Sequence, residues 1–211
     1  MGQLIPFRLL RTKYRAMAQD SSLNHWARYI RQHYTEFYNS LIESVVQHLA
    51  VPKTIPDHLT GWPQWEQYAE QVIPLTVEGL RDPLLIDFLK EDAGERAVLF
   101  TGGGFVPHEI LDINRLRMVH IHPGWLPDVR GADGLLWSVL VRGKPAASCF
   151  FVDSGLDTGA IIDRTEFEPL TLGSRWLDEM DPKMLYRALF CFVDPLIRAS
   201  LFGRLLAKSQ P

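Results

Sequence analysis

The chain has few cysteines, no excess of positive charge and no phosphate-binding loop motif. Cys149 and Cys191 are the only cysteines among 211 residues, which argues against a disulfide scaffold or a zinc ribbon and favours a reducing, cytoplasmic setting. A formal net charge of −3 gives no general attraction for phosphate backbones or anionic lipid, and no basic patch is evident. We therefore expect neither a nucleic acid nor a membrane as partner.

Long apolar runs without charge are also absent. The N-terminal residues carry arginines among their apolar positions and lack a signal-cleavage pattern, so no secretory leader is expected. Residues 184–206, the most apolar stretch near the C-terminus, are interrupted by charged residues and a proline, whose burial in lipid would be costly. The sequence therefore predicts no membrane span.

The composition is that of a globular protein, with 46% hydrophobic and 22% charged residues. Four short apolar runs are typical of strands: residues 97–101, 117–122, 146–152 and 160–167. Helical patterns surround them: residues 22–50, helices starting at Asp82–Pro83 and about Gly134, and a C-terminal helical segment that starts at Asp181–Pro182 and kinks or restarts at Pro195. This alternation predicts an α/β fold with a mostly parallel sheet and at least one hairpin.

The segment HIHPGWLPDVRGAD, residues 120–133, is the most informative for chemistry. His120 and His122 lie two residues apart at a predicted strand end, so their side chains are expected on one face of the sheet. Pro123 and Gly124 end the strand, which places both rings at the carboxyl edge where open α/β sheets bind ligands. Two histidines at a strand end can also be structural residues, and their spacing alone leaves that alternative open.

Two glycine-bearing turns follow other predicted strands. Asp157 lies in DSGLDTG, residues 153–159, and residues 102–104 are consecutive glycines. The first is by itself an ordinary hairpin turn. The second permits either a tight turn or the close approach of a ligand to the backbone.

Together these segments resemble the folate-dependent formyltransferases over about Val98 to Ile162. The similarity includes a strand ending in x-x-His-Pro, a Leu-Pro-x-x-Arg-Gly loop, a Trp-bearing helix and a Val-Asp-x-Gly-x-Asp-x-Gly turn. The resemblance implies a Rossmann-like open sheet with flanking helices. It also implies transfer of a formyl group from 10-formyltetrahydrofolate to an amine, which the sequence does not identify.

The resemblance further implies roles for individual residues. His122 and Asp157 match the family's catalytic histidine and aspartate, and His120 stands where the family has an asparagine. The loops whose backbone holds the pterin correspond to Gly102, Gly103, Gly104, Phe105 and Val106, and to Val152, Asp153, Ser154, Gly155 and Leu156. Arg130 and Asp133 are candidate substrate-binding residues, although a surface ion pair or, for Asp133, a helix cap is as good an explanation.

The chain departs from the family pattern at His120 and upstream of about Leu80, where only a short, arginine-broken strand is predicted. We therefore predict that residues 1–75 form a helical, shortened N-terminal part, and that residues 76–211 form the catalytic core with C-terminal helices. The missing first loop argues against glycinamide ribonucleotide as acceptor. The chain length argues against methionyl-tRNA, because those family members carry a further β-barrel domain.

Formyl transfer to an amine needs a hydrogen-bond donor for the developing oxyanion and an acceptor for the amine's proton. His122 is suited to either task, since an unperturbed imidazole titrates near ~6.5. Asp157 would fix the tautomer of His122 or accept a proton through water. His120 would replace the asparagine only by donating a ring N–H.

Three alternatives stay open from the sequence. Water in place of the amine would give hydrolysis of 10-formyltetrahydrofolate on the same residues. The replaced asparagine is also compatible with a non-catalytic folate-binding or interaction protein. His120, His122 and Asp157 are a plausible set of metal ligands, but no further soft ligand is nearby, so we expect no metal.

Overall fold

The computed structural model describes residues 8–14, 22–49, 69, 71–91, 94–102 and 104–208. The strands in this part of the chain are β1 Arg8–Tyr14, β2 Gln71–Val77, β3 Arg96–Phe100, β4 Leu116–His122, β5 Ala146–Phe151 and β6 Ile161–Glu166. The helices are α1 Ser22–His33, α2 Thr35–Leu49, α3 Pro83–Glu91, α4 His108–Leu111, α5 Gly134–Arg142, α6 Ser174–Glu179, α7 Pro182–Ala188 and α8 Asp194–Lys208. A π-helical turn, Leu189–Val193, joins α7 to α8.

The described strands form two sheets. β1 and β2 pair in parallel, and a second, four-stranded sheet has the order β3-β4-β5-β6. In the second sheet β3 and β4 are parallel, whereas β5 is antiparallel to both of its neighbours. The α/β fold and the hairpin are confirmed. Of the four described pairings, two are parallel and two are antiparallel. The turn between β5 and β6 is too short for a parallel crossover, so that pair is antiparallel.

The strand that carries both histidines lies inside the four-stranded sheet. β4 is hydrogen-bonded to β3 on one side and to β5 on the other, with His120 opposite Phe150 and His122 opposite Ser148. β3, whose short apolar run is typical of a buried strand, is only partly buried because it is the edge of this described sheet. The central position of β4 fixes the backbone from which His120 and His122 project.

The helical pattern over residues 22–50 forms two helices rather than one. α1 and α2 meet at Tyr34, where the hydroxyl of Thr35 donates to the carbonyl oxygen of Arg31 at 3.0 Å. Such a side-chain hydrogen bond competes with the helical backbone ladder and favours a bend. Four of the residues with the predicted helical spacing are buried: Ile30, Phe37, Leu41 and Val45.

Both Asp-Pro helix starts are confirmed. The carboxylates of Asp82 and Asp181 each accept a hydrogen bond from the backbone N–H two residues on, at 3.0 and 2.7 Å, and the helices begin at Pro83 and Pro182. The expected restart near Pro195 is also observed, since α8 begins one residue earlier, directly after the π-helical turn.

The buried apolar side chains form two clusters. The larger cluster joins the sheet to the first and last helices and includes Phe37, Ile121 and Leu196. The smaller cluster joins β2, α3 and α4 to β4 and includes Val106 and Met118. Thus α1 and α2 pack against the C-terminal helices and do not form a separate unit.

The predicted division of the chain at residue 75/76 falls within β2. Residues 1–75 are also not wholly helical, because they contain β1 and most of β2. The division into an N-terminal part and a catalytic core stays a prediction. In the residues that the structure describes, no helix has both the length and the apolar character of a membrane span.

The turn between β5 and β6 gives a stability prediction at Gly159. A Cβ at this position would lie 1.7 Å from the carbonyl oxygen of Phe151, so a side chain requires the backbone to move. We expect Gly159→Ala to lower the free energy of unfolding by about 1 to 3 kcal/mol. Urea denaturation of the purified variant measures this change.

Gly203 on α8 provides the matched control, because a Cβ there meets no atom within 4 Å. Gly203→Ala is expected to raise the free energy of unfolding by about 0.5 to 1 kcal/mol through its helix propensity. Equal effects of the two substitutions would contradict the close approach at Gly159.

Candidate active site

His122 ends β4 with its side chain enclosed by the loop that follows, and the residue is only 3% exposed. The ring lies against two glycines. A Cβ at Gly124 would come within 2.6 Å of its Nε2 atom, and a Cβ at Gly134 within 2.8 Å of the same atom. The sequence pattern marks these glycines only as a strand end and a helix start. In the structure they make room for the imidazole.

The two ring nitrogens of His122 have different partners. Nε2 lies 3.1 Å from the carbonyl oxygen of Val129, and because a carbonyl only accepts, Nε2 carries the proton in the neutral ring. Nδ1 faces the carboxylate of Asp157, with 3.6 Å between Nδ1 and Oδ2. Burial lowers the pKa of His122, although Asp157 opposes this effect. The ring is therefore a neutral proton acceptor near pH 7, and its protonated form would be stabilised by Asp157.

Asp157 connects the β5–β6 turn to the loop after β4. Its backbone adopts a positive φ of 52°, and its Oδ2 atom accepts a hydrogen bond from the Gly131 N–H at 2.8 Å. The expected meeting of Asp157 with the β4 strand end is thus observed. Its side chain is 15% exposed, compared with 4% for that of His122, so Asp157 is the more accessible member of the pair.

Asp153 stabilises the turn that carries Asp157. Its Oδ1 atom accepts hydrogen bonds from the Gly155 N–H at 3.0 Å and from the Thr158 hydroxyl at 2.7 Å. A hydrogen-bonded turn of this kind restricts the positions that its residues can adopt. The first aspartate of the sequence motif therefore has a structural contribution of its own.

His120 is half-buried between the rings of Phe100 and Phe150, with ring centroids 6.0 and 5.8 Å away. Its Nδ1 atom lies 2.6 Å from the carbonyl oxygen of Phe100, so Nδ1 carries the proton and donates it to that oxygen. Nε2 remains as the nitrogen for a ligand. It donates a hydrogen bond only when the ring is protonated.

Asp194 and Arg198 form an ion pair on α8, in which the Asp194 carboxylate is buried. Asp194 is 4% exposed, and its Oδ1 atom is 2.5 Å from an Nη2 nitrogen of Arg198. Burial raises the pKa of Asp194, whereas Arg198 and His120 act in the opposite direction. Arg198 also contributes to the lowered pKa of His122. The sequence-based site does not include this pair, although an aspartate and an arginine four residues apart in an apolar segment are a usable signal.

Two buried serines hold the loop that encloses His122. The Ser148 hydroxyl donates to the Gly124 carbonyl oxygen at 2.7 Å and accepts from the Leu126 N–H at 3.0 Å. The Ser138 hydroxyl accepts from the Trp125 N–H at 3.0 Å. Both serines are completely buried, so their hydrogen bonds take the place of those that the loop backbone would otherwise make to water. Nothing in the sequence pattern marks either serine.

The two candidate substrate-binding residues differ in their surroundings. Arg130 is exposed. Asp133 occupies the expected N-cap position of α5 with a positive φ of 58°, but its side chain makes no capping hydrogen bond. Its Oδ1 atom instead accepts a hydrogen bond from the Tyr186 hydroxyl at 2.7 Å, which links α5 to the C-terminal helices.

The loops expected to hold the pterin both pack against the smaller apolar cluster. Val106 is buried in the smaller cluster, and Val152 packs against the same cluster while its N–H donates to the Met118 carbonyl oxygen at 2.8 Å. In the same two loops, Phe105 is 66% exposed and Leu156 is 51% exposed. Exposed apolar side chains beside open turns fit a flat heteroaromatic ring.

The remaining residues of these loops are polar or small. Gly102, Gly104 and Ser154 are exposed, and Gly104 has a positive φ of 89° with open space where a Cβ would lie. Gly103 lies outside the described residues. No group of three or more His, Cys, Asp or Glu residues that could hold a metal ion occurs in the described part of the chain. The expectation of no metal stays a prediction.

Comparison with known proteins identifies relatives over the central part of the chain. A family model described as "Formyl transferase" matches residues 43–171. Methionyl-tRNA formyltransferase of Syntrophus aciditrophicus is 31% identical over 98 residues, which cover 46% of this chain and 31% of that protein. Methionyl-tRNA formyltransferase of Clostridioides difficile is 34% identical over 110 residues, which cover 50% of this chain and 34% of that protein.

Among solved structures, methionyl-tRNA formyltransferase from Clostridium thermocellum is 18% identical, with a TM-score of 0.47, and covers 98% of this chain and 67% of that chain. This chain spans about a third of the length of the curated relatives that it matches. The segment matched by the family model, residues 43–171, is more than half of the chain and contains His120, His122 and Asp157. The chain therefore belongs to the formyl transferase family.

Proposed function

We propose that the protein transfers a formyl group from 10-formyltetrahydrofolate to an amine. The observation that carries this proposal is the buried His122, whose Nδ1 atom faces the Asp157 carboxylate at the end of β4. Use of 10-formyltetrahydrofolate by the family supports this formyl donor. The loops at residues 102–106 and 152–156 would hold it, because they combine exposed apolar side chains with open backbone.

When bound, the cosubstrate supplies an electrophilic formyl carbon, whose oxygen gains negative charge as an amine adds. The chain then has to stabilise that oxygen and remove a proton from the amine. Asp157 is the accessible member of the proton-accepting pair. That proton would pass to His122 Nδ1, where Asp157 stabilises it while Nε2–H continues to donate to Val129. His122 would then return the proton to N10 of the folate as the bond between N10 and the formyl carbon breaks, which releases tetrahydrofolate and the formylated amine and restores the neutral imidazole.

His120 is the proposed donor to the formyl oxygen. Its Nδ1–H is already donated to Phe100, so the donor has to be Nε2–H of the protonated ring. An asparagine would satisfy the Phe100 carbonyl and the formyl oxygen with its two amide hydrogens at any pH.

The acceptor is proposed only as a primary amine. The curated relatives are named for methionyl-tRNA, and the net charge of −3 supports a small molecule instead, so the absence of a nucleic-acid partner stays a prediction. Hydrolysis of the cosubstrate would use the same residues with water as the nucleophile. Cys149 and Cys191 are buried and form no disulfide bond, which supports the proposed cytoplasmic location.

Asp157→Asn tests the proton-accepting pair. Asparagine still accepts the Gly131 N–H and tolerates a positive φ, but it neither accepts the amine's proton nor stabilises a protonated His122. We expect formyl transfer to fall by about a hundredfold or more, with an unchanged melting temperature. The measurement is the rate at which 10-formyltetrahydrofolate is consumed in the presence of a panel of primary amines.

His122→Ala, measured in the same assay, is expected to abolish transfer. Product analysis for formylated amine and for formate separates transfer from hydrolysis. Binding of 10-formyltetrahydrofolate without turnover in the unmodified protein would favour the non-catalytic alternative. Undiminished turnover by Asp157→Asn would show that the pair does not handle the proton.

His120→Asn tests the donor to the formyl oxygen. The Asn variant should remain active, because its amide offers two hydrogens for donation. His120→Ala should reduce kcat by about a hundredfold, since one oxyanion donor contributes ~2.7 to 4 kcal/mol. The turnover rates of the three proteins decide the matter: equal damage by both substitutions rules out an amide-like donor at this position.

A further inference from the structure

The loop that encloses His122 contains a turn, residues 125–129, that supplies one of the two partners of the imidazole. The Val129 N–H donates to the Trp125 carbonyl oxygen at 2.9 Å and closes this turn. The carbonyl oxygen of Val129 accepts the Nε2–H of His122 at 3.1 Å. The position of the turn therefore decides where that oxygen lies relative to the imidazole.

Two arginines, Arg142 and Arg164, hold this turn from the surface and are called the arginine pair below. Arg164 on β6 donates an Nη1–H to the carbonyl oxygen of Leu126. Its guanidinium also lies over the Trp125 ring, 4.2 Å from the ring centroid. The guanidinium of Arg142, at the end of α5, lies 4.8 Å from the same centroid. Both distances are within the range of a cation–π attraction.

Two carboxylates compensate the charge of the arginine pair. Arg142 donates to Asp128 Oδ2 at 3.0 Å and to Glu166 Oε1 at 2.9 Å. Because Asp128 belongs to the turn, Arg142 contacts the turn through a hydrogen bond as well as through the Trp125 ring. Partly exposed ion pairs contribute little to the stability of a fold. The consequence of this network is therefore to be sought in the position of the turn.

The single proton of the neutral His122 ring has two possible acceptors. Val129 O lies 3.1 Å from Nε2, whereas Asp157 Oδ2 lies 3.6 Å from Nδ1. A carboxylate is the stronger acceptor, but 3.6 Å is too long for a hydrogen bond, and this oxygen already accepts the Gly131 N–H. The proton stays on Nε2 only while the Val129 carbonyl is within reach. A displaced turn would leave Asp157 as the better acceptor and move the proton to Nδ1.

We propose that Arg142 and Arg164 are positioning residues that set the tautomer of His122 by holding the turn at residues 125–129. With the proton on Nε2, Nδ1 faces Asp157 with a free lone pair and can receive the proton of the acceptor amine. With the proton on Nδ1, that nitrogen accepts nothing. This role rests on the proposed formyl transfer for its meaning, whereas the tautomer itself is a property of the protein without folate.

Arg164→Met tests the role of the arginine pair. Methionine keeps an apolar side chain beside Trp125 but removes the charge and the hydrogen bond to Leu126. The ¹⁵N chemical shifts of the His122 ring, in the full chain without folate at about pH 8, distinguish the two neutral tautomers. We expect the unmodified protein to hold the proton on Nε2. The share of the Nδ1–H tautomer should rise about tenfold in Arg164→Met, as expected for loss of one hydrogen bond to a charged donor.

Two further variants separate positioning from a general loss of packing. Arg164→Lys keeps a cation and an N–H donor, so it should restore most of the original tautomer ratio. Adding Asp157→Asn to Arg164→Met should return the proton to Nε2, because the amide lacks the carboxylate's charge and can itself donate to Nδ1. Arg142→Met should act in the same direction as Arg164→Met, and it provides the measurement if the latter variant does not fold.

Arg175→Met is the matched control. Arg175 lies over the Trp176 ring at 4.7 Å and donates to Glu179 at 3.0 Å, so the substitution removes a similar arginine from α6. It should leave the His122 resonances unchanged.

The proposal is overturned if the tautomer ratio of Arg164→Met equals that of the unmodified protein, even where the melting temperature falls, because the arginines would then only stabilise the fold. It is also overturned if Arg175→Met changes the ratio as much. If the ratio shifts as expected but the unmodified protein formylates no amine, the formyl-transfer function fails while the positioning role stands.

Discussion

The burial of the His122 imidazole is the constraint on which the rest of the site depends. A polar ring taken out of water is stable only if its nitrogens find new partners. The carbonyl of Val129 and the carboxylate of Asp157 replace the water, and both reach the ring because the loop after β4 folds back over it. That path requires glycine at positions 124 and 134, where any Cβ would collide with the ring.

The same enclosure determines how charge is distributed around the two histidines. The buried His122 favours its neutral form, while the half-buried His120 lies between the rings of Phe100 and Phe150. Asp194 and Arg198 compensate one another, and removing Arg198 would leave the Asp194 carboxylate as an uncompensated buried charge. The C-terminal helices are therefore part of the electrostatic environment of the site as well as of the core.

The sequence predicts those features that depend on local periodicity. The two-residue repeat of a strand places His120 and His122 together, and the Asp-Pro pairs mark helix starts, since both signals act over a few residues. Contacts between residues that are far apart in the sequence leave no such local signal. Tyr186 meets Asp133 across 53 positions of sequence, and Ser148 holds a loop 24 residues away. The sequence pattern identifies the strand end and its reactive groups, whereas the supporting contacts emerge only from packing.

Backbone conformation adds a second requirement at two aspartates, Asp133 and Asp157. Asp133 and Asp157 have φ angles of 58° and 52°, in the left-handed region that aspartate and asparagine enter more readily than most residues. An alanine at either position would combine loss of charge with backbone strain, whereas an asparagine changes the charge and keeps the conformation. Charge and backbone geometry are thus separable at these carboxylates. They are not separable at His122, because its ring also fills the space that the two glycines leave.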